Sequence, residues 1–314
     1  SLCDWSSDVC SSDLKVSHDV CLAIGVFDGV HLGHQRVIGQ AREAARAAGG
    51  TAVVLTFDPH PVRVLAPTKA PPLLTSTAHK LRLIAALGVD ACLVLRFDQQ
   101  LANTSPTDFI DTVARSAHSL KRICVGSRFR FGHNRSGDVA LIARLGPQYG
   151  YVAEEITSVT VGDEMISSTA VRQHVLHGNL DRAQAMLGRR FSVLGTVVRG
   201  DTLGRQLGYP TANINPHNEV LPANGVYAVR VHIGQAVHPG MANIGVRPTV
   251  QADASEHRLE VHLLDFTGDL YGQDLEVEFC SKLRAEQKFD SLSALRAQLA
   301  RDEHAARSAL SGIS

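Results

Sequence analysis

No pair of cysteines in this 314-residue chain stands at CxxC spacing, and no His/Cys cluster has metal-ligand spacing. Cys3, Cys10, Cys21, Cys92, Cys124 and Cys280 are scattered, which argues against a zinc site or a disulfide framework and reads as free thiols in a reducing cytoplasm. Long apolar runs are missing too; none approaches the roughly 20 residues needed to span a bilayer. Lys plus Arg equals Asp plus Glu at 31 each, so the formal charge is zero. Nothing in that balance points to nucleic acid or an acidic membrane as a partner. Internal repeats and low-complexity tracts are absent. The chain also lacks an ordinary start: residues 1–14, SLCDWSSDVCSSDL, have no Met, no basic segment and no apolar h-region, so they are no signal peptide. They resemble a translated sequencing-adapter read and are set aside as a non-native artefact, with the expectation that the native amino terminus is missing.

What is present is enough apolar material, 44% of residues, for two domains. Val20–Val26, Thr51–Phe57, Val89–Phe97 and Arg122–Val125 read as strands. Gln35–Ala48, Thr77–Leu87, a segment opened by Ser105-Pro106, and Asp138–Leu145 read as helices. Strand–helix alternation with continuous apolar strands predicts an α/β domain built on a parallel sheet covered on both faces. Two helices, Thr169–His177 and Leu180–Leu187, are expected to join it to a second domain. There Phe191–Arg199, Gly225–Ile233, Gln235–Ile244, Arg258–Phe266 and Leu275–Phe279 are strand-like and Ser291–Ser308 is helical. That pattern predicts a small antiparallel β-barrel closed by a C-terminal helix.

The densest chemical signal is GVFDGVHLGH, Gly25–His34, placed where a strand ends and a helix begins. Such a junction binds phosphate through helix N–H groups and the helix dipole. Gly29 and Gly33 allow tight backbone and close ligand approach, and His31 and His34 flank a glycine so that both imidazoles can reach one phosphate chain. A glycine-rich turn with two surface histidines is the plainer alternative. His60, in TFDPHP, is either a turn residue between two prolines or a phosphate contact. Lys121, Arg122, Arg128, Arg130 and Arg135 form a basic run with no acid, which reads as a solvated face that could also attract polyanions.

In the second half, Gly200, Gly204 and Gly208 mark a closely approachable loop. A Pro210-Thr211-Ala212-Asn213 turn then offers two hard oxygen donors suited to Mg²⁺. Period-two alternation in RLEVHLLDF puts Glu260, His262 and Leu264 on one face, taken as the inward one. A carboxylate there is a surface residue, a cross-strand partner or a placed base.

GVFDGVHLGH, TFDPHP, FRFG (Phe129–Gly132) and ISSTAVR (Ile166–Arg172), followed by the PTAN turn, RLEVHLLDF and GDLYGQDLEVEFCSKLRAEQKFDSL, resemble the prokaryotic bifunctional riboflavin kinase/FAD synthetase family from about Val20 to Ala306. The resemblance implies a Rossmann-like HxGH nucleotidyltransferase domain, 15–187, that adenylylates FMN to FAD. It further implies a β-barrel kinase domain, 188–314, that phosphorylates riboflavin. ATP, riboflavin and FMN are then the partners and Mg²⁺ the cofactor. By the same resemblance Gly25, Phe27, Asp28, Gly29, Gly33 and His60 line the first site, and His31 and His34 stabilise the ATP phosphates. Ser168, Thr169 and Arg172 would grip the β- and γ-phosphates. In the second site Thr211 and Asn213 would hold Mg²⁺ and Glu260 would be the general base. Arg128 departs from the family, which usually has Asp or Asn there; it forfeits an accepted hydrogen bond or turns outward into the basic run. Two rival readings are another HxGH nucleotidyltransferase, opposed by the barrel, and a non-catalytic flavin-binding regulator, opposed by the retention of both residue sets.

Overall fold

The computed structural model describes residues 2–4, 10–11, 19–199, 208–247 and 256–311, so Gly200 and Gly204 lie outside the described residues. The chain divides into two compact units, Ser1–Pro72 with Thr77–Ser168, and Leu73–Ser76 with Thr169–Ser314.

The first unit runs β1 (Leu2–Asp4), β2 (Cys10–Ser11), β3 (Asp19–Ile24), α1 (Leu32–Ala48), β4 (Thr51–Asp58), α2 (Pro61–Leu65), α3 (Thr77–Ala85), β5 (Ala91–Arg96), α4 (Gln99–Asn103), α5 (Pro106–Ser116), β6 (Ser119–Gly126), α6 (Val139–Tyr149) and β7 (Val152–Ile156), with a small β8 (Thr160–Val161) and β9 (Glu164–Met165) pair. The sheet order is β2-β1-β5-β4-β3-β6-β7. From β5 to β7 it is parallel, and the short β1–β2 hairpin adds antiparallel to the β5 edge. Alternate strand residues serve opposite faces. Cys21, Ala23, Val54, Cys92 and Cys124 pack against Val37, Ile38, Ala41 and Ala45, the apolar stripe of α1. On the other face Leu22, Leu55 and Ile123 meet Phe109 and Ile110 of α5 and Ile142 of α6. After β3 the chain builds outward through β4 and β5, then returns to lay β6 on the other side of β3. The carboxyl end of β3 therefore sits at the switch point where open α/β sheets bind ligands.

Helix α1 begins at Leu32, three residues before the sequence expectation, because His31 caps it. Strand β7 escaped the periodicity reading because VAEEI is a partly exposed edge strand with two glutamates rather than an apolar run.

Helix α7 (Ser168–Leu176) crosses into the second unit, followed by α8 (Leu180–Leu187), β10 (Ser192–Val198), β11 (Ala212–Pro216), β12 (Gly225–Ile233), β13 (Ala236–Arg247), β14 (Glu256–Leu263), β15 (Asp274–Arg284) and α9 (Leu292–Ser311). The six strands from β10 to β15 close into an antiparallel barrel in the order β10-β11-β14-β13-β12-β15. Val193, Val229, Val231, Leu259, Val261, Leu275 and Val277 fill its interior and are fully buried. On the outside, Ala306 of α9 packs with Ala228, Met241 and Leu264. One expectation needs correction: Asn213 does not sit in a turn. It is the second residue of β11, since Pro210 lacks the N–H a ladder needs and the strand starts only after it.

Candidate active sites

The first site grows from the link between β3 and α1. Phe27 (φ 54°), Gly29 (φ 80°) and Val30 (φ 41°) all lie in the left-handed region, which a β-branched residue almost never adopts. Burial of Phe27 and Val30 and two bonds hold this strained loop. Val30 N–H donates to Phe27 O at 3.1 Å, and Gln35 Nε2 donates to Val30 O at 2.9 Å. Gly25 is required by close approach, because a Cβ there would lie 2.8 Å from the Phe27 ring.

His31 caps α1, its Nδ1 accepting the His34 N–H at 3.3 Å. The two imidazoles stack with centroids 3.6 Å apart, and Phe27 meets His34 edge-on at 5.3 Å. His34 Nδ1 is buried without a partner among the described residues. Burial, then the neighbouring His31 and Lys80, hold the His34 imidazole well below the ordinary histidine range. It is therefore neutral at physiological pH and can donate one hydrogen bond to an anionic oxygen. Ser168, the last residue of the first unit, donates through Oγ to the Asp28 carbonyl at 2.9 Å. Thr169 and Arg172 lie on α7 in the second unit, Arg172 being buried, so they are not grouped with this loop. His60 caps α2, its Nδ1 accepting the Val62 N–H at 3.2 Å. Arg128 is exposed, with no partner among the described residues, matching the outward alternative. Within the basic run, Arg122 pairs with Glu154 at 2.5 Å and Lys121 with Asp19 at 3.6 Å.

Sequence reasoning missed Lys80. It is only 6% exposed, and its ammonium donates to Val26 O at 3.3 Å and Phe57 O at 3.2 Å. Its place one turn before Ile84, on the buried stripe of α3, was the available signal. On the sheet face opposite α1 lies a cavity of about 850 Å³ lined by Leu55, Phe109, Arg96, Asp98, Leu101 and Thr104 among others. Its Arg96 is the register partner of Asp58 in TFDPHP.

The second site occupies the outer face of the barrel. Leu259, Val261 and Leu263 take the interior, so Glu260 faces outward, contrary to the inward placement expected from periodicity. Alternation fixes which residues share a face but not which face is the core. Glu260 lies in register between Asn213 of β11 and Asn243 of β13, three polar residues in one row. Asn213 is 7% exposed and its Oδ1 is buried with no partner among the described residues. Arg258, two residues along β14, reaches Glu260 at 3.0 Å. His262 donates through Nδ1 to Pro210 O at 2.7 Å, holding the Pro-Thr segment on β14. A cavity of about 370 Å³ is lined by Thr211, Asn243, Glu260, Arg258, Phe289 and Leu295. Arg284 of β15 donates to both carboxylate oxygens of Asp302 at 2.8–3.0 Å, fastening α9 beside it. The orphaned Asn213 Oδ1 with the Thr211 hydroxyl is a hard-oxygen set that fits Mg²⁺. Among the described residues no group of three or more His, Cys, Asp or Glu could hold a metal. Gly208 is an exposed turn residue with φ 87°.

Residues 13–170 match the family model for FAD synthetase and residues 187–310 that for riboflavin kinase. The chain is 44% identical over 287 residues to a bifunctional riboflavin kinase/FMN adenylyltransferase of Escherichia coli (strain K12), covering 91% of each chain. It is 41% identical to that of Pseudomonas fluorescens, covering 94% of each. A solved structure titled as a macrolide-efflux protein from Streptococcus pneumoniae superposes with a TM-score of 0.79 at 32% identity, covering 92% of this chain and 94% of that one. Among the described residues here, no helix is long and apolar enough to cross a membrane.

Proposed function

We propose that in this chain, which belongs to the bifunctional riboflavin kinase/FMN adenylyltransferase family, the two reactions are divided between the two sites just described. Its reactions are phosphorylation of riboflavin to FMN and adenylylation of FMN to FAD. We assign the second to a domain spanning 15–187 and the first to one spanning 188–314. The observation that carries this division is the separation of the residue sets. His31 and His34 lie in the unit ending at Ser168, while Asn213 and Glu260 lie in the other.

In adenylyl transfer a phosphate oxygen of FMN attacks the α-phosphorus of ATP, the bond to the β-phosphate oxygen breaks, and pyrophosphate leaves. Such a reaction needs alignment and stabilised charge rather than a covalent nucleophile. The amino terminus of α1, the neutral imidazole of His34 and the His31 ring stacked on it supply donors to the phosphate oxygens. Ser168, the last residue of the same unit, serves the phosphates beyond the α-position. The apolar cavity of about 850 Å³ is within the usual size of a small-molecule pocket and takes the flavin ring of the acceptor, with Arg96 in its lining.

In the kinase reaction Glu260 accepts the proton of the riboflavin 5′-hydroxyl as that oxygen attacks the γ-phosphorus of ATP and ADP departs. Arg258 holds the carboxylate in place. Thr211 and Asn213 are the residues that would hold Mg²⁺, which when bound neutralises charge on the phosphates. Phe289 and Leu295 offer the flavin ring an apolar wall. The free thiols of Cys21, Cys92, Cys124 and Cys280 support a cytoplasmic location.

Incubation of the full chain with riboflavin, ATP and Mg²⁺, followed by separation of the flavins, should yield FMN and then FAD. Failure of FMN to appear would overturn the kinase assignment. FMN without FAD would overturn the adenylyltransferase assignment.

A further inference from the structure

Lys80 has a position that neither a solvated helix face nor an ion pair explains. An ammonium carries three N–H donors. Two go to main-chain carbonyls, and among the described residues the side chain has no other hydrogen-bond or ion-pair partner. Those carbonyls belong to different loops. Val26 opens the strained segment that carries Asp28 and His31, and Phe57 precedes Asp58 in TFDPHP. Thr56 repeats the link from the β4 side, its buried hydroxyl donating to the same Val26 carbonyl at 3.0 Å. A buried lysine without a carboxylate in contact is costly, and two carbonyl dipoles offset that cost only in part. Burial accordingly pushes the Lys80 pKa down, while Cys92, Asp28 and Asp58 oppose that shift.

From this geometry we propose that Lys80 is a positioning residue of the adenylyl-transfer site, locking the Gly25–His31 and Thr56–Pro61 loops to each other and lending the site a buried positive charge. The lock keeps the strained backbone of Phe27 and Val30 in place before substrate arrives, so the donors aimed at the phosphates need not reorganise during reaction. The charge acts on His34. Lys80 and His31 both oppose protonation of that imidazole, and the other titratable groups around Lys80 are Asp28, Asp58 and Cys92. A neutral His34 beside a lysine presents the transition-state oxygens with a fixed donor and a fixed cation instead of a proton that comes and goes. This proposal rests on the assignment of adenylyl transfer to the His31/His34 loop, so both are tested together.

The experiment measures kcat and KM for FMN adenylylation and for riboflavin phosphorylation in full-length Lys80→Met, Lys80→Gln and Lys80→Arg, with His31→Ala/His34→Ala beside them. Histidine NMR follows the titration of His34 in each lysine variant. Lys80→Met should lower kcat for adenylylation by roughly 10²-fold or more, with riboflavin phosphorylation unchanged. Lys80→Arg, which keeps charge and donors, should stay within about tenfold of wild type. The midpoint of His34 should move up in Met and Gln and remain low in Arg. Lys80→Gln keeps two N–H donors without charge and carries the test if Met does not fold. Wild-type kcat in Gln, or equal losses in Gln and Arg with His34 unmoved, overturns the role of Lys80. Intact adenylylation in the double histidine variant overturns the underlying site assignment instead.

Discussion

The rings of His31 and His34 are stacked and nearly parallel, 17° apart and 3.6 Å between centroids, and His31 Nδ1 also accepts the His34 main-chain N–H. Stacking this close disfavours two positive charges, and the capping bond leaves His31 Nδ1 without a proton. One motif thus both starts α1 and disfavours protonation of His34. Replacing both with Ala should reduce FMN adenylylation by roughly 10²–10³-fold while riboflavin phosphorylation continues. Equal loss of both activities in a folded variant would remove the histidines from the adenylyl site.

His34 also links stability to pH. Its folded-state pKa is depressed, so below about pH 6.5 the unfolded chain binds a proton that the folded chain does not. Stability of the first unit should therefore be full above pH 6.5 and decline as pH falls toward the folded-state value. His34→Asn should flatten that slope in urea titrations collected from pH 7.5 to pH 5. An unchanged slope would show that His34 is not buried neutral.

Glu260→Gln keeps the side chain's size and its place between Asn213 and Asn243, and removes its ability to take a proton. Riboflavin phosphorylation should fall by about 10²–10⁴-fold. Adenylylation of supplied FMN should persist. Normal phosphorylation in this variant would reduce Glu260 to a cross-strand partner.

Asn213→Ala should raise the Mg²⁺ concentration needed for half-maximal riboflavin phosphorylation, because it deletes the buried, unpartnered Oδ1. Chelation of Mg²⁺ should stop the reaction, and excess metal should restore more activity to wild type than to the variant. An identical metal requirement in both proteins would take Asn213 out of the metal site.

Asp302 is 3% exposed and holds Arg284 in a forked pair between β15 and α9. Asp302→Ala leaves the guanidinium without its carboxylate. The second unit should lose up to about 3–5 kcal/mol in denaturant unfolding, and KM for riboflavin should rise as Phe289 and Leu295 loosen. A change below about 0.5 kcal/mol would show the pair to be a solvated surface contact.

Much of this protein is legible along the chain because its information is local. GVFDGVHLGH specifies a strand end, a tight turn and a capped helix within ten consecutive residues, and its resemblance together with PTAN and RLEVHLLDF was enough to identify both reactions. Ser105-Pro106 likewise marks the start of α5, with Ser105 Oγ accepting the Asp108 N–H at 3.1 Å. Other facts depend on contacts across strands. Asn213 joins Glu260 only because β11 pairs with β14 in one register, and Glu260 faces out only because Leu259 and Val261 are claimed by the barrel interior. Lys80 becomes a buried clamp only when α3 brings it beneath Val26 and Phe57, far apart from it in sequence. Residue type and spacing determined the chemistry available; closure of the barrel and packing of α3 on the sheet decided which side chains meet, because side-chain alternation along a strand has no preferred side until the apolar faces find each other.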